Sequence, residues 1–126
     1  MDTQVATMTT KQVAYRLVEL LRSGQFEEAQ KELFAEGVVS TEPEAMPGME
    51  KEIKGLDAVI EKGHHFMSTV EEVHGSVITE PVVIGNLISL GLGFDCTIKE
   101  KGRTNMEEII LYKVKDGKIV HEQFYY

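Results

Sequence analysis

The side chains best suited to chemistry in this chain are carboxylates in the second half of the sequence. Asp95, Glu108 and Glu122 each stand in a segment where side chains of different character alternate, which is typical of β-strands. Carboxylates that share an apolar cavity raise one another's pKa, because burial and like charge both favour the protonated form. One of them can then act as a base and another as an acid. The competing interpretation is a solvated cross-strand face, with Glu108 and Glu122 paired to Lys118 or Arg103.

The histidines and the cysteine are weaker indications of function than the carboxylates. His64 lies at the flank of the apolar face of a predicted helix, where it is able to serve as acid or base, although a surface position is the simpler interpretation. The four histidines have no metal-binding spacing and no phosphate-binding glycine loop is present, so we expect no metal and no cofactor. Cys96 has no neighbour that would lower its thiol pKa, and we expect it to pack as a small hydrophobe.

Composition excludes several classes of protein. The net charge of −8 argues against a nucleic-acid partner, because phosphate contacts need a basic surface. No apolar run reaches membrane-spanning length, and the N-terminus has no secretory pattern, so we expect no membrane contact and a cytoplasmic location. The 126 residues match one typical domain, and a hydrophobic content of 42 % is enough for one core.

Hydrophobic periodicity predicts three helices in the first half of the chain. The first, over about 9–23, begins with a capping-box spacing of Thr9 and Gln12. A second short helix covers about 26–34, and a third runs over about 55–69. Between them, the segment TEPEAMPGME breaks regular structure. It is either an ordinary surface loop or a cover for a pocket, in which case Met46 and Met49 are ligand contacts.

The second half is predicted to be a β-meander. Its strands are expected over about 71–80, 82–98, 104–115 and 118–126. The last two are joined by KDGK, a tight hairpin signal, because Asp-Gly suits the positive φ angles of such turns. Helices followed by antiparallel strands predict an α+β fold with the helices on one face of the sheet.

Alternation divides segment 82–98 into two faces. One face carries large apolar side chains and the other is small and polar; the first carries Val82, Ile84, Ile88, Leu90, Leu92, Phe94, Cys96 and Ile98, and the second Leu87, Ser89, Gly91, Gly93, Asp95 and Thr97. We interpret the apolar face as a packed surface. The small polar face suits a cavity wall, because serine and glycine leave room for a ligand.

The pattern of elements resembles the NTF2-like, cystatin-like cone. The closing hairpin YKVKDGKIVHEQFYY is similar to that of the SnoaL-like branch, and KGLDAVIEKG is similar to the third helix of that branch. The resemblance covers nearly the whole chain. It implies one domain over residues 1–126, with three N-terminal helices packed in the concave face of a curved, mostly antiparallel sheet and a pocket between them.

The resemblance also implies which residues face the pocket. In the epoxide-hydrolase relatives an inward catalytic Asp lies on the strand before the last two, and Asp95 in GFDCT matches that place. Their second inward Asp corresponds to Phe124, so the acid pair of those enzymes is incomplete here. Phe124 facing inward implies that Glu122 and Tyr126 do so too.

On the neighbouring strand the corresponding inward set is Glu108, Ile110 and Tyr112. Tyr112 is then able to donate a hydrogen bond to a developing oxyanion. Tyr15 occupies roughly the region where relatives place a polar pocket residue, with core packing as the alternative.

The opposite, convex side is predicted to join two copies of the chain. It would carry Ile88, Leu90, Leu92, Phe94, Ile109, Leu111, His121, Gln123 and Tyr125. So much apolar surface is unfavourable in water, and relatives commonly dimerise through this side, so we expect a homodimer.

Three functions follow from the resemblance. The first is an acid–base enzyme, without a cofactor, that isomerises, cyclises, dehydrates or hydrolyses a small apolar organic molecule, with Asp95 as first candidate base and Glu108, Glu122 or His64 as its partner. The second is a ligand-binding protein without catalysis, which the phenylalanine at position 124 favours. The third is a dimeric assembly module whose core is filled by side chains. Fold alone does not choose among them.

Overall fold

The computed structural model describes residues 7–45 and 47–126. In chain order the elements are α1 Thr10–Arg22, α2 Phe26–Leu33, β1 Phe34–Thr41, β2 Glu52–Lys54, α3 Leu56–Ser68, β3 Val70–Ile78, β4 Val82–Ile84, β5 Leu87–Ile98, β6 Gly102–Lys115 and β7 Lys118–Tyr125. The predicted α+β class is confirmed.

The first helix begins where its sequence predicts. The Thr9 hydroxyl accepts a hydrogen bond from the Gln12 N–H at 3.1 Å, and the Gln12 side chain accepts one from the Thr9 N–H at 2.9 Å. This capping box satisfies two donors that the first turn leaves unpaired. Val13, Leu17 and Leu21 recur at helical spacing and are buried, so this face of α1 packs into the core.

The strands form one mixed, curved sheet. Their order is β2-β1-β7-β6-β5-β3, and β4 pairs with β5 beside that path. All neighbours are antiparallel except β1 and β7, which are parallel. The KDGK hairpin between β6 and β7 is confirmed: Asp116 and Gly117 have φ of 51° and 75°. A Cβ on Gly117 would lie 2.6 Å from Cγ2 of Thr7, so this turn requires glycine for both its φ and its space.

The predicted strand over 82–98 is two strands in the structure. Gly85, with φ of 59°, and Asn86 form a turn that folds β4 back against β5, so that Val83 pairs with Ile88. The sequence signal for this break was the Gly-Asn pair, which favours turns with positive φ.

The core lies between the helices and one face of the sheet. Buried side chains from all three helices, among them Leu17, Ala29 and Val59, belong to the same cluster as Ile88 of β5 and Ile110 of β6. We call this sheet face the inner face and its reverse the outer face. Within the described residues, no helix is long and apolar enough to cross a membrane.

Candidate functional site

Helices and inner sheet face enclose a cavity of about 240 Å³. Most of its wall is apolar, and at one side the ring of Phe94 packs against Phe66 and Phe26 at centroid distances of 6.0 and 6.5 Å. Polar side chains gather at another part of the wall. They come from β1, α3, β6 and β7 and from the segments that follow β1 and β7. We name these, with the serine that joins them, the polar cluster: Ser40, Glu42, Lys62, Glu108, Tyr112, Glu122 and Tyr126. An apolar pocket with a few convergent polar groups is the usual composition of a small-molecule site.

The parallel pairing of β1 with β7 builds the centre of the polar cluster. Its register sets Ser40 beside Glu122, and the Ser40 hydroxyl donates a hydrogen bond to Oε1 of Glu122 at 2.7 Å. Both side chains are buried, and the exposed fraction of Glu122 is 3 %. A buried carboxylate needs such donors, because it has lost those of water.

Lys62 of α3 connects this pair to a second carboxylate. Its ammonium donates to Oγ of Ser40 at 2.7 Å and to Oε1 of Glu42 at 2.9 Å, and it lies 4.7 Å from the ring centroid of Phe124. Only 8 % of Lys62 is exposed, which is rare for lysine unless it is paired. The ion pair and the aromatic face together offset the cost of burying its charge.

The C-terminal tyrosine closes the same network. The Tyr126 hydroxyl donates a hydrogen bond to Oε2 of Glu42 at 3.0 Å, so both oxygens of Glu42 are engaged. Burial and the neighbouring Glu42 carboxylate raise the pKa of Tyr126 to about 12. Tyr126 therefore stays protonated at neutral pH and acts as a donor.

Glu108 of β6 is the carboxyl of the cluster that titrates near neutral pH. Burial, and then the charges of Glu42 and Glu122, raise its pKa from 4.5 to about 7, while Lys62 acts in the opposite direction. No hydrogen bond contributes to that pKa. A carboxyl that is half protonated at neutral pH is able to give or take a proton there.

The two other inner groups next to Glu108 are more deeply buried. Burial raises the pKa of Glu122, and Lys62 and the Ser40 hydroxyl oppose that rise. Tyr112, which faces Phe34 at a ring-centroid distance of 6.4 Å, has a pKa raised well above 10.0 by burial and by the nearby carboxylates. Its phenol is thus a hydrogen-bond donor at neutral pH.

Comparison with known proteins agrees with this architecture. The sequence profile of the SnoaL-like domain matches residues 8–126. The chain belongs to the SnoaL-like family. A Mesorhizobium loti protein described as a SnoaL-like polyketide cyclase is 37 % identical to it, with a TM-score of 0.86, and the match covers 94 % of this chain and 100 % of that one.

More distant structures share the fold. An NTF2-like protein from Burkholderia pseudomallei is 17 % identical with a TM-score of 0.77, over 94 % of this chain and 92 % of its own. A protein with a cystatin-like fold from Xanthomonas campestris is 16 % identical with a TM-score of 0.77, over 94 % and 90 %. No curated protein matches this chain. The SnoaL-like protein thus shares the NTF2-like, cystatin-like fold that its sequence predicts.

The structure of the SnoaL-like protein brings five of the predicted site residues to the cavity: Glu108, Tyr112, Glu122, Phe124 and Tyr126. Asp95 is not among them, and its predicted place on the inner wall is wrong. Leu92 pairs with Glu108 across β5 and β6, so these two share the inner face and Asp95, three residues on, takes the outer one. There its carboxylate accepts hydrogen bonds from the Arg103 guanidinium at 2.8 and 3.1 Å, which hold its pKa below the usual value.

The error came from the glycines of β5. A Cβ on Gly91 would lie 3.0 Å from the Thr79 side chain, and one on Gly93 would lie 3.8 Å from Cβ of Val77. A side chain at position 91 would therefore crowd Thr79, whereas position 93 has ordinary contact space, and both glycines line a wide concavity of the outer face and not the inner cavity. By the same inversion, the β5 part of the predicted convex surface is wrong; Ile88, Leu90, Leu92 and Phe94 all point to the inner face.

His64 and Tyr15 also lie away from the cavity lining. Gly63 lines the cavity, and the next residue, His64, is turned away from the cavity by the rotation of the helix. The His64 ring lies at the exposed surface, where it contacts the carboxylate of Glu27 on α2. Tyr15 is 53 % exposed on the outer side of α1, beside the ammonium of Lys11, so both its pocket role and its core packing are wrong.

Of the two methionines predicted as ligand contacts in the 42–51 loop, the structure describes Met49. Met46 lies outside the described residues. Met49 is half-buried but does not belong to the cavity lining. Cys96 is fully buried, as predicted, and burial raises the pKa of its thiol. No group of three or more His, Cys, Asp or Glu side chains in the described part of the chain is placed to hold a metal ion.

Sequence reasoning missed Ser40, Glu42 and Lys62. Their signals were present: in β1 the alternation of buried positions that starts at Val38 continues through Ser40 to Glu42. In α3, Lys62 stands three residues after the buried Val59 and so on the same face. A lysine and a glutamate that fall on predicted core faces indicate a buried ion pair.

Proposed function

We propose that this protein is an acid–base enzyme that acts without a cofactor on a small, largely apolar organic molecule, with Glu108 as the group that transfers the proton. The observation that carries the proposal is the position of Glu108 on the cavity wall with a pKa near neutrality. General acids and bases work best when their pKa lies near the working pH.

The rest of the polar cluster supports this role. Tyr112 would donate a hydrogen bond to an oxygen on which negative charge develops, since its phenol lines the cavity beside Glu108. Glu122 and Glu42, held by Ser40 and Lys62, would keep Glu108 from ionising too readily. We further propose that the three helices close the concave side of the sheet, so that the reaction proceeds away from bulk water.

The reaction class that this arrangement fits is proton transfer next to a carbonyl group, as occurs in isomerisation, cyclisation or dehydration. Glu108 in its ionised form would remove a proton from carbon and return it to another atom, while Tyr112 binds the carbonyl oxygen. Each step conserves atoms and charge and needs no external oxidant or reductant.

Deuterium exchange tests the proposal without knowledge of the natural substrate. A panel of small cyclic ketones and enones is incubated with the protein in deuterated water, and exchange at carbon is followed by NMR. We expect exchange with the wild type that falls at least about a hundredfold in Glu108→Gln, because a positioned acid–base group contributes roughly 10²–10⁴-fold. Glu107→Gln, an equal change one residue away on the outer face, is the control. Equal rates in wild type and Glu108→Gln would refute the role of Glu108.

The second candidate is a ligand-binding protein without catalysis. Phe124 favours it, since this position faces the cavity beside Lys62 with an aromatic ring and no acid. Compounds of the panel that bind in the cavity and leave unchanged, with no exchange, would support this candidate against the enzyme.

We also propose a homodimer through the outer face of β5, β6 and β7. On that face Ile109 of β6 and Tyr125 of β7 are about half exposed, and together with the exposed Val77 of the neighbouring β3 they line a wide concavity of about 940 Å³. A second copy would remove this apolar surface from water. Sedimentation of the wild type and of Ile109→Lys at micromolar concentration tests it. A monomeric wild type would contradict the proposal.

A further inference from the structure

The charges that face the cavity are unbalanced. Glu42, Glu108 and Glu122 line it, and Lys62 is the cation among the described lining residues. Helices α1 and α2 contribute Leu, Phe, Ala and Gln side chains and no titratable group to the described lining. A ligand that enters therefore meets two or three carboxylates for one ammonium, so a further negative charge would be repelled.

Lys62 is held mainly by the protein's own groups. Two of its three N–H groups point to Ser40 and Glu42, at 2.7 and 2.9 Å, and the ammonium lies over the ring of Phe124. A ligand carboxylate would have to displace one of these partners and leave a buried group unpaired, which is costly. The lysine thus stabilises the protein's own carboxylates and does not form an anion site.

Two polar groups are left for a ligand. Tyr112 is 3 % exposed, lines the cavity and has no hydrogen-bond partner for its phenol among the described residues. The half-buried Glu108 carboxyl lines the same cavity four residues earlier on β6, also without a hydrogen bond in the described part of the chain. Both groups border open space in the cavity, where a ligand or water is able to complete their hydrogen bonds.

We propose that the cavity selects a small apolar molecule that carries a protonated amine, held by the carboxylates that line the cavity around Glu108, and rejects carboxylates of the same shape. The proposal rests on the proposed function, since it concerns the same cavity and the same Glu108. It also resolves a difficulty of that function. Negative charge that develops on a substrate oxygen would be repelled by Glu42 and Glu122, and a positive charge on the substrate offsets this repulsion.

Three matched compounds provide the test: benzylamine, benzyl alcohol and benzoate, which differ chiefly in the charge of one small group. Binding is followed by NMR through the methyl groups of Met67 and Met106, which line the cavity. At about pH 8, where Glu108 is ionised, we expect benzylamine to bind about tenfold more tightly than benzyl alcohol, and benzoate most weakly. At about pH 5.5 Glu108 takes up a proton, and the preference for the amine should shrink.

The groups that face Glu108 and bear on this pH dependence are Glu42, Lys62, Tyr112, Glu122 and Tyr126. Glu108→Gln keeps the shape and removes the titration, so the amine preference should fall about tenfold and lose its pH dependence. Glu107→Gln, on the outer face, should keep both.

The outcomes separate the inference from the function on which it rests. If benzyl alcohol shifts the methyl groups but benzylamine binds no better, or if benzoate binds best, the amine inference is overturned and a small-molecule cavity stands. An amine preference that survives Glu108→Gln also overturns it. If none of the three compounds shifts the methyl groups at millimolar concentration, the inference and the proposed function both fail.

Discussion

Two carboxylates on the same pair of strands have opposite electrostatics. Asp95 lies on the outer face of β5, where the guanidinium of Arg103 lowers its pKa. Glu108 lies on the inner face of β6, where burial and two further carboxylates raise its pKa to about 7. Both residues are carboxylates on neighbouring, paired strands, so the difference in their pKa comes from the sheet face on which each one lies. Position relative to the sheet thus separates a structural carboxylate from one that is able to exchange a proton at neutral pH.

The largest effect on stability is expected when the cation of the polar cluster, Lys62, is replaced. In Lys62→Met, Glu42, Ser40 and Glu122 stay buried without the ammonium, so we expect a loss of about 3–5 kcal/mol in the free energy of unfolding. Urea denaturation measures it. Lys11→Met, on the exposed side of α1, should change stability by less than about 0.5 kcal/mol. A Lys62→Met variant as stable as Lys11→Met would show that the cluster does not depend on Lys62.

Replacing Glu108 should stabilise the protein in alkaline conditions. Its folded pKa, about 7, lies above its usual 4.5, so the folded state holds the extra proton and the stability of the wild type falls as the pH rises through that window. At one pKa unit per ~1.36 kcal/mol, the loss above about pH 7 is on the order of 3 kcal/mol.

Glu108→Gln has no such titration. We expect it to exceed the wild type by that amount at about pH 8 and to match it near pH 4.5, as measured by urea denaturation at both values. Equal pH dependence in both proteins would mean that Glu108 has an ordinary environment.

The next largest effect is expected at Ser40, whose hydroxyl connects Lys62 to Glu122. Ser40→Ala removes the hydroxyl that donates to Glu122 and accepts from Lys62, which should cost about 1–3 kcal/mol and raise the pKa of Glu122 further. Ser76→Ala, at an exposed position of β3, is the matched control. If thermal unfolding shows both variants equally stable, the Ser40 hydrogen bonds contribute nothing net.

The smallest effect is expected on the outer face. Asp95→Asn breaks an exposed ion pair with Arg103, and such pairs contribute little because water screens them. What it contributes is present above the unfolded pKa of Asp95 and is lost as the pH falls through its lowered folded pKa. Turnover or ligand binding by the cavity should be unchanged. A variant that loses either one would place Asp95 in the site after all.

The fold and half of the site follow from the sequence. Capping, helical periodicity and the Asp-Gly turn predict the helices and the last hairpin, because these are local signals. The faces of β6 and β7 were predicted correctly through the position of Phe124. The face of β5 was not, since serine and glycine on one side of a strand fit the wall of an inner cavity and the wall of an outer concavity equally well.

The buried ion pair was harder to predict. It needs Ser40 to lie beside Glu122, and this depends on a parallel pairing between strands that are distant in sequence. Lys62 then comes from a helix that packs over both. The position of each residue on a core face was a local signal, but the tertiary arrangement decides which partners the residues meet.

The pKa of Glu108 tests the account most directly. Labelled carboxyl carbons of glutamate, titrated by NMR, give it once Glu108→Gln has identified the signal; Glu107→Gln identifies its exposed neighbour. The account predicts a midpoint near 7, which Lys62→Met should raise further, because the ammonium favours the ionised form. A midpoint near 4.5 would contradict it and would leave the cavity without a proton-transfer group at neutral pH.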